Sequence, residues 1–249
     1  MWNQLSQWIP GLDWTLVLVY LRVQACVLVL PGLGERVIPA RVKVTVAMAI
    51  SPLLATSLAG GTIPTQPVAM LAQIAGEVLI GAATGLMLRL LAFALDIATS
   101  AIAATASLSQ IVGVQNESSP HPIGNLLHLG GLAVLMALGL PIMLVQLMAD
   151  SFALWPPASW PDISRLMPAT VSILSQSFVL AMMLAAPFTL GGFMFQALSG
   201  VINRVMPSLP VVFIGSPASI MLALGGLALL APMLVGLWAD AVLTFMLPR

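Results

Sequence analysis

The chain has 249 residues, of which 60% are hydrophobic and 6% charged, and its mean hydropathy is +1.08. A soluble globular domain carries roughly a quarter charged residues, so this composition excludes one. Eight basic and eight acidic residues cancel, which removes both the basic field a nucleic-acid binder needs and any acidic tail.

The chain opens MWNQLSQWIPGLDW, with tryptophans at Trp2, Trp8 and Trp14 and no Lys or Arg. The positive region of a secretory signal is missing, and the tryptophans read as interfacial anchors. Six apolar stretches follow, near 12–31, 43–60, 67–93, 126–149, 168–198 and 211–247, to be weighed against the roughly 20 residues one crossing needs. They predict an all-α, polytopic membrane-type fold of helical hairpins. Pro52, Pro141, Pro187, Pro217 and Pro232 lie within the stretches and should kink their helices. Cys26, the single cysteine, has no disulfide partner and reads as a small buried hydrophobe.

Basic residues set an orientation. Arg36, Arg41 and Lys43 fall in the first connection, and alternation puts Arg89 and Arg204 on the same, cytoplasmic side. Both termini are then outside. So are the uncharged Gly60–Pro67 and the Ser151–Pro168 connection, whose Trp155 and Trp160 suit an interface.

Two ionisable residues lie deep in the stretches, Arg22 and Glu77. Their stretches run the same way across the membrane, so the two side chains sit at similar depth. An isolated charge there costs about 2.5 to 3.5 kcal/mol, so Arg22 and Glu77 are expected to pair, and exchanging them should restore folding lost in either single variant. A proton relay would need further acidic or His groups at that depth.

Between the third and fourth stretches, Asp96–Asn125 is neither an apolar span nor a short hairpin. Ala98–Ser109 is nearly all Ala, Ser and Thr, suited to close helix contact. Beyond it Gly113, the polar run Gln115–Ser119, Pro120 and Pro122 cannot continue a helix. Such a segment belongs at a membrane surface, or inside protein or a wet cavity. The residues alone fit either an exposed connection or a loop lining a passage. Gly81 and Gly85 form GxxxG, which permits close helix approach without naming the partner. His121 and His128 lack companions for a zinc site, and there is no GxSxG, no P-loop and no carboxylate pair placed for acid–base work. No metal, cofactor or enzymatic activity is expected. Met182, Met183 and Met194 read as adaptable packing.

The run LRVQACVLVLPGLGERVIPARVKVTVAMAISPLLA, Leu21 to Ala55, resembles the opening hairpin of the flagellar FliR and injectisome SctT family of export proteins. Glu77–Ala98 is similar to the family's next block and Pro210–Leu234 to its closing helix. Leu184–Ile214 also resembles the small partner FliQ. The resemblance implies residues 1–166 as a FliP-like front with a plug loop near 106–122, and 167–249 as a FliQ-like hairpin. It implies an export gate in the bacterial inner membrane at the flagellar basal body. That gate would be built with FliP and FliQ, with FlhB and FlhA nearby, and would pass unfolded flagellar subunits. Carried onto this chain, the plug falls on Ser109, Gln110, Ile111, Val112, Gly113, Val114, Gln115 and Asn116. Here the chain departs from the family, with Glu117-Ser118-Ser119-Pro120 where an Asp-Pro element is common. A stand-alone solute transporter is the rival reading; it would show an internal repeat with broken helices and a polar cluster at mid-membrane, and neither is evident.

Overall fold

The structure, a computed structural model, describes residues 13–58, 63–107, 122–206 and 211–247. Among these residues there are seven α-helices and no strand: α1 Trp14–Val29, α2 Ala40–Ala55, α3 Pro67–Ser107, α4 Pro122–Ala137, α5 Leu140–Leu154, α6 Ile163–Val205 and α7 Val211–Leu243. Three of them are long and apolar enough to cross a membrane, or four spans if the broken pair α4 and α5 counts as one. The all-α class is as expected, but the helices do not map one to one onto six crossings. α1 and α2 have 16 residues each, short of the roughly 20 a crossing needs. α3 and α6 run to 41 and 43 residues, about twice that length. The fourth stretch is broken at Gly139, whose φ of +109° is open to glycine but strained for other residues. Pro141, expected to kink a continuous helix, instead lies in the first turn of α5, where its missing N–H leaves no bond unmade.

The chain divides into two compact units. One comprises Met1–Leu91, Leu135–Ile173 and Leu243–Arg249; the other comprises Ala92–Val134 and Leu174–Val242.

In the first unit α1 is the core. Trp14, Leu18, Val19, Arg22, Val23, Cys26 and Val27 are all buried, so protein rather than lipid surrounds this helix on most sides. Asp13 starts it by accepting the Trp14 N–H at 2.7 Å, a side-chain N-cap. The Trp14 indole donates to Gln73 Oε1 at 2.9 Å. Further along, a Cβ added at Gly81 would lie 2.1 Å from Arg22 O, and one at Gly85 would lie 2.8 Å from Cys26 O. The pairings 14 with 73, 22 with 81 and 26 with 85 advance together, so α1 and α3 are parallel and α1 is the partner of the Gly81/Gly85 pair. Only glycine lets the two backbones meet this closely. At the far end Arg89 donates to Val29 O at 3.1 Å and to Glu35 Oε1 at 3.2 Å. α2 packs chiefly on α1 and more lightly on α5, burying a narrow stripe of Lys43, Ala47, Ser51 and Leu54.

In the second unit the end of α3 packs with α4, α6 and α7. Trp238 is 1% exposed and its indole donates to Ala92 O at 3.2 Å. A Cβ at Gly131 would fall 2.5 Å from Leu95 and 3.1 Å from the Trp238 ring, so α4 presses its glycine onto that tryptophan. Asp96 Oδ1 and His128 Nδ1 lie 2.6 Å apart, joining α3 to α4. Leu184, Leu234 and Val242 complete the buried layer. The outer faces of α6 and α7 are apolar and exposed: Phe193 and Met194 at 71%, Leu229 at 82%. Met182 and Met183 are also exposed.

Candidate functional site

The best-defined polar site lies inside the first unit, where α1 and α3 meet the end of α5. Arg22 stands in mid-helix among apolar neighbours, and nothing local recommends a cation there. The site is explained by what three distant segments bring to it. The Arg22 and Glu77 side chains are both 0% exposed, with Nε donating to Oε2 at 2.6 Å. Nη1 donates to Ser151 O at 3.2 Å, Ser151 Oγ at 3.3 Å and Trp155 O at 2.8 Å, and Nη2 reaches Pro156 O at 3.5 Å. The guanidinium also stacks over Phe152, 4.0 Å from the ring centroid, a cation–π contact that strengthens when desolvated.

The carbonyls of Ser151 and Trp155 belong to the C-terminal end of α5: Ser151 O already accepts the Trp155 N–H at 2.9 Å, whereas the carbonyls at and beyond a helix end lack intrahelical donors. Arg22 adds a second donor to Ser151 O and supplies one to Trp155 O, and its positive charge meets the negative end of the helix dipole. On the other side of the pair, Glu77 Oε1 accepts the backbone N–H of Ala158 at 2.7 Å. Ala158 holds a φ of +67°, among the described residues a left-handed conformation found at no other non-glycine residue. The carboxylate therefore fixes a strained turn as well as balancing a charge. Gly76 sits beside it, where a Cβ would come 2.9 Å from Ser159 O.

Chemically, this arrangement holds things in place rather than turning over. Both carboxylate oxygens of Glu77 accept from the protein, and each guanidinium nitrogen has a protein acceptor. Among the described residues no group of three or more His, Cys, Asp or Glu is placed to hold a metal.

The contributions of Ser151, Phe152, Trp155, Pro156 and Ala158 were not evident in the sequence. The connection Ser151–Pro168 read as an outer loop with two interfacial tryptophans; instead its first half is bonded to the ion pair, and of the two tryptophans Trp155 is half-buried and Trp160, at 59%, is exposed. The one sequence signal was a tryptophan followed by two prolines, a stretch too stiff to be a passive linker. The expected plug residues Ser109, Gln110, Ile111, Val112, Gly113, Val114, Gln115 and Asn116 lie outside the described residues. So does the greater part of the 106–122 loop.

Over residues 14–245 the sequence matches the family described as bacterial export proteins, family 1. The chain belongs to this family. Its similar proteins include the flagellar biosynthetic protein FliR of Caulobacter vibrioides, 30% identical over 227 residues that cover 90% of each chain. FliR of Escherichia coli strain K12 is 27% identical over 234 residues, 92% of this chain and 88% of that one. FliR of Aquifex aeolicus is 26% identical over 223 residues, 88% and 86% of the two chains. Family membership and the long apolar helices make this export protein a membrane-embedded component of the flagellar export apparatus. The family match begins at Trp14, the first residue of α1, and takes in every element of the Arg22 site.

Proposed function

We propose that this chain is a subunit of the flagellar protein export gate, assembling with FliP and FliQ into the channel through which unfolded flagellar subunits leave the cytoplasm. The observation that carries this is the family match over residues 14–245, joined by relatives named FliR across nearly their whole length. The subunit works in the inner membrane at the flagellar basal body, next to FlhB and FlhA, and performs no chemistry of its own. Residues 1–166 act as the FliP-like front and 167–249 as a FliQ-like hairpin, formed by α6 and α7.

Two features support an assembled role. α6 carries 43 residues, far more than one lipid crossing uses, and its exposed Phe193, Met194 and Leu198 would be covered by neighbours or lipid. The saturated Arg22–Glu77 site, meanwhile, leaves no open polar cluster for the solute-transport alternative, because every charged atom there already has an internal partner.

The mechanism is steric. Residues 109–116 close the passage at rest and move aside for the exported chain, and Gly113 supplies the backbone freedom that movement needs. Energy comes from partners such as an ATPase and from the proton gradient. Co-expression of the tagged chain with FliP and FliQ of its own organism, followed by native mass spectrometry, is expected to yield one complex holding all three. Isolation of the chain alone, with the partners assembling without it, would overturn the reading.

A further inference from the structure

The contact between Asp96 and His128 differs from the Arg22–Glu77 pair in two ways. Its side chains are 35% and 29% exposed rather than fully buried, so water reaches them. One partner is a histidine, the side chain whose charge ordinarily changes between about pH 5 and 8. The pair also joins α3, which is long and apolar enough to cross a membrane, to α4 of the broken span. Ionisable groups in such helices are costly, and Asp and His there commonly handle protons.

An ionised carboxylate only accepts, so His128 Nδ1 carries the hydrogen that meets Asp96 Oδ1 at 2.6 Å. With the ring neutral, the contact is one hydrogen bond and the pair keeps a net negative charge among apolar neighbours. With the ring protonated, the same contact becomes an ion pair of zero net charge, and charge-assisted bonds are roughly twice as strong as neutral ones. Apolar packing beside the pair is thin. Gly131 rests on Leu95 and Trp238, but one turn further along α3 a small cavity separates Ala98, Thr99 and Ile102 from Leu127, Leu184 and Leu234. Other charges on these helices are few. On α3 the nearest is Arg89, two turns before Asp96 and bound to Glu35 at 3.2 Å. α4 has no second titratable group, α6 has Arg204 in its last turn, and α7 has Asp240 just past Trp238. Glu117 and His121 lie outside the described residues.

We propose that Asp96 and His128 form a proton-responsive clasp between α3 and α4, tightened when His128 takes up a proton and loosened when it releases one. The proton comes from the water that reaches the ring and adds at Nε2, leaving the Nδ1 hydrogen on Asp96. A directional bond between two helix arms with little else holding them sets their register, a use for which polar pairs inside apolar surroundings are well suited. Arg22 and Glu77 cannot act in this way, because both are sealed from water and neither is a histidine. The clasp rests on the membrane location alone, so it and the plug reading can fail independently.

Spin labels on the full chain in mild detergent test it. Ile97→Cys and Leu129→Cys carry the labels, since both positions are exposed and adjoin the pair, while the fully buried Cys26 stays unlabelled. His121→Gln throughout leaves His128 as the single histidine. Dipolar broadening of the spectrum should be stronger at about pH 5 than at about pH 8, the range over which histidine changes charge. His128→Gln and Asp96→Asn should give weak coupling at both pH values. His128→Lys, which is charged at both, should give strong coupling at both, an outcome that a purely structural contact would not produce. Asp96→Glu and Asp240→Asn should respond to pH as the parent does. Should His128→Gln lose its helicity by circular dichroism, His128→Lys and Asp96→Glu carry the test. Spectra of the parent that are the same at both pH values overturn the proposal. So does a pH response that survives in His128→Gln or His128→Lys, or one that disappears in Asp240→Asn.

Discussion

Arg22 and Glu77 form a buried pair in which each partner also serves the backbone, and this changes what their replacement should do. Removing one member of a buried pair leaves an uncompensated charge and costs about 3 to 5 kcal/mol. Glu77→Leu and Arg22→Leu are each expected to lower the unfolding free energy of the detergent-solubilised chain by that amount in denaturant titrations. The exchange Arg22→Glu with Glu77→Arg should not restore it, contrary to what the sequence implied. The swapped carboxylate would face the Ser151, Trp155 and Pro156 carbonyls, and the swapped guanidinium would face the Ala158 N–H. Both meetings are of like with like. Ala158→Gly should act in the opposite direction. Relief of a left-handed residue, about 1 to 2 kcal/mol, outweighs the extra chain entropy of glycine, about 0.5 to 1 kcal/mol. A gain of about 0.5 kcal/mol in the same titration is expected. The depth argument placed Arg22 and Glu77 together, because two charges in an apolar layer have few other partners. No such argument reached Ser151 or Ala158, whose backbone groups carry no mark in the sequence.

At the scale of elements, the parallel contact between α1 and α3 depends on glycine at two positions one helical turn apart. Gly81→Ala places a methyl 2.1 Å from the Arg22 carbonyl, which is backbone and cannot swing away. This variant should separate the helices and lower the melting temperature measured by circular dichroism by several degrees. Gly130 is the control, since an added Cβ there meets nothing within 4 Å. Gly130→Ala should raise stability by about 0.5 to 1 kcal/mol, the ordinary helix preference of alanine over glycine. The GxxxG spacing was legible from the residues, but its partner was not. Spacing describes one helix surface, whereas the contact needs the matching backbone of α1. Helix ends were less legible still. Hydropathy stopped the third stretch near residue 93 because Asp96 and the small polar residues after it lower the average. The backbone continues to Ser107, since Ala, Ser and Thr remain compatible with a helix.

For the whole molecule, the central expectation is that part of 109–116 seals a passage. Deleting within that segment in a flagellated host is expected to raise the ion conductance of the inner membrane, read by a voltage-sensitive dye or by sodium sensitivity, with the complex still assembled. Unchanged conductance would remove the plug from these residues. Bulky replacement at Gly113 should reduce export of flagellar subunits into the medium without altering conductance. Composition and hydropathy by themselves determined that this is an all-α membrane-type protein without a soluble core, because apolar content is a sum over residues and needs no geometry. The blocks Leu21–Ala55, Glu77–Ala98 and Pro210–Leu234 carried the family in the same way, as local strings. What surrounds each helix was decided only by the tertiary structure. α1 is as apolar as a lipid-facing span, yet it is buried in its own unit around Arg22, while α2 and α7 leave apolar faces open. Hydropathy registers removal from water in both cases; whether lipid or protein replaces that water depends on contacts between residues far apart in the chain.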